Sequence, residues 1–98
     1  MLTKAEAIEL VSEKLRQMSA SENPLVVVET NTIERPFGWV FFYNSQKYIE
    51  TGVLRLRLAG NGPIIVNKIS HAVEFFGTNK PVQTLIEDYE NSLSDNVG

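Results

Sequence analysis

The stretch Gly38-Trp39-Val40-Phe41-Phe42-Tyr43 constrains the fold more than any other part of this chain. In extended backbone, successive side chains point to opposite faces. Trp39, Phe41 and Tyr43 therefore fall on one side and Val40 and Phe42 on the other. Such a strand must be covered on both faces, or give one of them to association, as in a homodimer. Upstream, Leu25–Ile33 ("LVVVETNTI") is rich in β-branched residues and reads as another strand. Between the two, Arg35-Pro36-Phe37-Gly38 has proline second and glycine fourth, which suits a type I turn. Two strands joined this closely pair as an antiparallel hairpin.

The flanks read as helices. Thr3 and Glu6 have the spacing of a capping box, with Leu2 placed for a hydrophobic staple. Ile8, Val11, Leu15 and Met18 follow at helical spacing, which predicts an amphipathic helix over Lys4–Met18, ended before Pro24. Near the other end, a helix is expected from about Asn79, with Pro81 in its first turn. Val82, Leu85, Ile86, Tyr89 and Leu93 form its apolar face, and "SDNVG" is a frayed tail. Between lie strands at "PIIVNK" and "ISHAVEFFGT", with Ile69-Ser70-His71 near their turn. In Tyr48–Leu58, the run "VLRLRLA" alternates apolar and basic residues. This favours a strand with Leu54, Leu56 and Leu58 inward and Arg55 and Arg57 outward, although the four-residue spacing of Leu54 and Leu58 leaves one helical turn open. The order predicts a single α+β domain over residues 1–98: an N-terminal helix, an antiparallel sheet of about four strands and a C-terminal helix, with the helices packed on the sheet.

At 98 residues, 43% of them apolar, the chain is long enough for one core without staples. It has no cysteine, which excludes disulfides and thiolate metal sites and is compatible with a reducing cytoplasm. The charged N-terminal segment is expected to be neither a signal peptide nor a membrane span. The net charge of −3 argues against a nucleic-acid partner. That charge is unevenly spread: residues 35–80 carry six basic side chains against Glu50 and Glu74, while both flanking segments are net acidic.

Chemistry-bearing patterns are sparse. "LAGNGPIIVNK" (Leu58–Lys68) has the glycines of a phosphate loop, but Pro63 supplies no N–H and a strand follows where a helix is needed. It reads as a turn in which Gly60 and Gly62 reach positive φ. His71 is the single histidine, so it has no second ligand at metal-binding spacing and no cysteine partner. Glu87, Asp88 and Glu90 read as the wet face of a helix, and the aromatic residues as core. No catalytic residue, cofactor or metal is expected.

Taken together, "GWVFFY", "YIETG", "LAGNGPIIVNK" and "GTNKPVQTLIEDYE" resemble the YrhB-like family, small bacterial proteins catalogued as immunity protein 35 of polymorphic toxin systems. The similarity spans about Phe37 to Glu90. The family's tryptophan falls on Trp39, its Gly-Asn-x-Pro signature on Gly60, Asn61 and Pro63, its Gly-Thr on Gly77 and Thr78, and its helical tyrosine on Tyr89. Two places depart from the pattern: "ISHA" stands where a glycine is common in the turn, and Arg55 and Arg57 occupy a loop that is usually more acidic. The resemblance implies a cytoplasmic protein that binds a cognate toxin and has no chemistry of its own. Its alternatives are a small chaperone-like protein or an adaptor binding some other protein. On this reading the basic central segment faces an acidic partner, with Lys47, Tyr48, Arg55, Arg57 and Asn61 as contact residues.

Overall fold

A computed structural model of the chain describes residues 1–19, 22–58 and 61–95. Helix α1 (Lys4–Met18) starts where its capping box stands: the Thr3 hydroxyl accepts from the Glu6 N–H, and the Thr3 N–H donates to the Glu6 carboxylate. The bond from the Thr3 N–H to the carboxylate is the main reason the Glu6 carboxyl lies below its usual range. That half of the box is therefore fully formed at neutral pH and weakens as the pH falls through the lowered value. One face of α1 buries Ala7, Val11 and Leu15; Met18, expected on that face, is exposed in the last turn.

The two aromatic and β-branched stretches are each broken once, at the same level. Leu25–Ile33 was expected to be one strand. It is instead β1 (Leu25–Val27), a 3₁₀ turn over Glu29–Asn31, and β2 (Ile33–Arg35). Its partner divides at Phe42 into β3 (Gly38–Phe41) and β4 (Tyr43–Ser45). The Val28 N–H bonds the Phe42 carbonyl across the break. As a result β1 pairs with β4 in a small sheet, while β2 and β3 form the expected hairpin. Strands β5 (Ile64–Asn67) and β6 (Val73–Phe75) extend that hairpin into an antiparallel sheet of order β2-β3-β5-β6. Glu74 is exposed on the outermost strand, where a charge discourages pairing with another chain.

Strand β3 is central, with Trp39 opposite Val66 and Val40 opposite Ile65. Its alternation separates two cores. Trp39, Phe41 and Tyr43 join Ile64, Val66 and the buried face of α1. Val40 and Ile65 meet Phe37 and Ile86 on the other face, with Phe42, Val82 and Tyr89 packed alongside. The cover demanded by the aromatic strand thus comes from a helix on each side. The second helix, α3 (Val82–Asp95), begins one residue after Pro81, whose carbonyl accepts from the Leu85 N–H. Proline thus precedes the first turn that was expected to contain it, and the helix extends two residues into the tail expected to fray. Tyr89 rests edge-on against Phe37, with ring centroids 4.7 Å apart, and its hydroxyl is 3.2 Å from the Asn67 amide.

The turn between β5 and β6 is built on buried Asn67, whose Oδ1 accepts from the N–H groups of Ile69 and Ser70. His71 there adopts a φ of 66°, a left-handed conformation that disfavours any residue with a Cβ. This is the physical reason a glycine suits the turn. His71→Gly should raise stability by up to about 1 kcal/mol, the relief of left-handed backbone strain in the turn less the entropy cost of glycine. Urea titration of the two proteins checks it.

Gly62 serves a different purpose from the one its turn suggested. It has no positive φ; a Cβ there would lie 1.9 Å from the Phe76 carbonyl oxygen and 2.5 Å from that of Gly77. Glycine is needed for close approach of two backbones. Gly60 lies outside the described residues.

Candidate partner-binding surface

Tyr48–Leu58 is not a strand. Ser45 ends β4 and caps α2 (Gln46–Thr51), its hydroxyl accepting from the Tyr48 N–H at 3.2 Å. The short helix stops at Gly52, whose φ of 71° is left-handed and whose N–H bonds the Tyr48 carbonyl. A 3₁₀ turn over Leu54–Leu56 follows. The alternation of leucine and arginine fits a strand, but the polar side chains of β4 decide otherwise. Buried Ser45 donates its hydroxyl to the Leu56 carbonyl at 2.6 Å, and Asn44 accepts from the Leu58 N–H at 2.8 Å. These bonds use the backbone groups that a strand ladder would need.

The result is a corner of defined shape. Lys47, Arg55 and Arg57 are exposed on it, and Tyr48 is half-buried. None of the three cations forms an ion pair among the described residues, where Arg16, Arg35 and Lys80 do. Asn61 is held differently: half-buried, with its amide donating to the Tyr43 carbonyl at 2.5 Å. Its geometry gives it the task of joining the incoming segment of β5 to β4. The expected inward leucines are also redistributed. Leu56 and Leu58 are half-buried, while Leu54 is 74% exposed. Ile49 and Val53 are exposed as well, so an apolar crest lies among the cations. Sequence reasoning missed this crest because it assigned Leu54 to an inner face. The signal was nevertheless present, in a serine and a glycine that bracket "QKYIET" as a helix start and stop.

Because one hydroxyl supports both α2 and the 3₁₀ turn, Ser45→Ala should cost about 2 kcal/mol, a lost cap together with an orphaned carbonyl. Denaturation followed by Trp39 fluorescence measures this.

Elsewhere His71 lines an open groove with Glu6, Glu9 and Glu13 of α1. Among the described residues, no group of three or more His, Asp or Glu side chains is arranged to hold a metal ion. Tyr43 is buried, which pushes its phenol up and keeps it neutral at physiological pH. No described helix is long and apolar enough to cross a membrane.

The residues quoted for the family resemblance occupy supporting positions: Trp39 in the core, Pro63 at the start of β5, and Tyr89 against the hairpin turn. Gly77 and Thr78 are exposed ahead of α3. The family model for immunity protein 35 matches residues 5–92. The chain belongs to this family. Among curated proteins, "Uncharacterized protein YrhB" of Escherichia coli (strain K12) is 42% identical over 53 residues, covering 54% of this chain and 56% of YrhB. This member of the immunity protein 35 family thus aligns with about half the length of that relative. No solved structure matches it.

Proposed function

We propose that this chain binds a cognate protein toxin directly and neutralises it, with no catalysis of its own. The observation that carries this reading is the family match across residues 5–92. The exposed, firmly held corner of α2 supports it, since a blocking protein needs a surface ordered before it meets its target. Lys47, Tyr48, Arg55 and Arg57 are the residues proposed for contact, and Asn61 contributes by holding their segment against β4.

The test is protection. Cells expressing the product of a neighbouring gene that proves toxic should survive when the protein is co-expressed, and the two proteins should co-purify in a fixed ratio. Survival without a stable complex would point to an activity other than blocking by contact. Weak binding to many unfolded chains, without protection, would favour a chaperone-like role.

The same reading predicts that the lone histidine is dispensable. His71→Gly should protect cells as well as the unaltered protein does, and elemental analysis should find less than one metal ion per ten chains. Stoichiometric zinc, or loss of protection in this folded variant, would overturn the reading of His71 as a turn residue.

A further inference from the structure

We infer that the corner formed by α2 and the Leu54–Leu56 turn is the surface that seats the toxin, and that the toxin presents an apolar recess rimmed by carboxylates. The inference rests on the toxin-binding reading above and assigns its site and the chemistry of its partner.

Three observations converge on the corner. First, Leu54, Ile49 and Val53 are 74%, 45% and 39% exposed within six residues of chain. An apolar group of this kind is most often a contact site when its rim is polar. Second, the crest is held in place. Ser45 and Asn44 bond the backbone at Leu56 and Leu58, and Gly52 closes the helix before it. Fixing an exposed leucine contributes little to folding, because the side chain stays in water. It helps association, because less freedom remains to be lost when a partner docks.

Third, the charges specify the partner. Lys47, Arg55 and Arg57 are exposed and flank the crest residues along the chain, with Glu50 as the single carboxylate from Gln46 to Leu58, in a chain of net charge −3. The cations make no ion pair among the described residues. Surface charge of one sign speeds encounter with a surface of the other and rejects partners of the same sign. An exposed apolar groove beside Phe37, Ile69 and Leu93 lacks this feature: its neighbouring charges, Arg35 and Glu90, already pair with each other at 2.6 Å.

The experiment measures binding to a purified, inactivated form of the neighbouring gene product that this protein protects cells against. Two variants are compared with the unaltered protein after their melting is shown to be unchanged: Leu54→Asp, and Arg55→Glu combined with Arg57→Glu. Leu54→Asp should weaken binding by about 30-fold or more, the loss expected of a central contact residue. The double reversal should slow association on the order of tenfold at low salt, and the difference should shrink as salt is added. Unchanged affinity and rate in both folded variants would remove the corner as the binding surface while leaving toxin binding intact. Failure of the unaltered protein to bind would overturn the toxin reading and this surface together. A charge effect without a Leu54 effect would overturn the apolar recess.

Discussion

Trp39→Ala should leave most of the protein unfolded or insoluble. The indole is 8% exposed on the central strand, lies against Phe41 with ring centroids 6.4 Å apart, and belongs to the core that α1 covers. Deleting a buried tryptophan costs about 3–5 kcal/mol, against a total stability of about 5–15 kcal/mol for a domain of ordinary size. A chain of 98 residues with three- and four-residue strands has little to spare. Circular dichroism and the soluble fraction after expression provide the measurement. A variant melting at the temperature of the parent would show that α1 does not depend on the indole for its seat.

Gly62→Ala should be nearly as damaging, although it adds only a methyl group. The new Cβ would meet the Phe76 carbonyl oxygen at 1.9 Å and the Gly77 carbonyl oxygen at 2.5 Å. Both obstacles are backbone, and neither can rotate aside. Relief requires moving the chain ahead of β5 away from the chain after β6, where the Phe76 N–H bonds the Pro63 carbonyl. We expect a loss of about 3 kcal/mol, the upper part of the range for overpacked sites. Gly77→Ala is the control: its added Cβ would meet only the Asn79 side chain at 3.7 Å, an ordinary contact, and melting should barely change. If both alanine variants melt alike, the crowding at Gly62 is not what holds these segments together.

These expectations show which parts of the structure could be read from the residues. The bounds of helix α1 were legible because its start is chemically marked by Thr3 and Glu6; of its expected face Val11 and Leu15 are buried, while Met18 in the last turn is exposed and Ala7 is buried instead. The two-sided cover of β3 followed from the alternation of Trp39, Phe41 and Val40, since neither face could remain in water. The break at Val28 and Phe42 was not legible. β-branched propensity is continuous there, and the break depends on two strands bending at one level. The corner at α2 failed for a related reason. Leucine–arginine alternation is a local pattern, whereas the hydroxyl of Ser45 and the amide of Asn44 act on it from a neighbouring strand. For the candidate site, the cations were identifiable by charge alone, while the apolar crest required knowing that Leu54 points to water.

The placement of β3 between two helices has a consequence for the order in which the molecule can be made. Val40 and Phe42 are covered by α3, which is synthesised after every strand, and the edge of β3 that meets β5 waits for Ile64–Asn67. Until those segments emerge, the most apolar strand of the nascent chain has a bare face and an open edge. Pairings this distant in sequence also form slowly compared with local helix contacts. If the protein guards its own cell, protection therefore begins only after translation has passed α3.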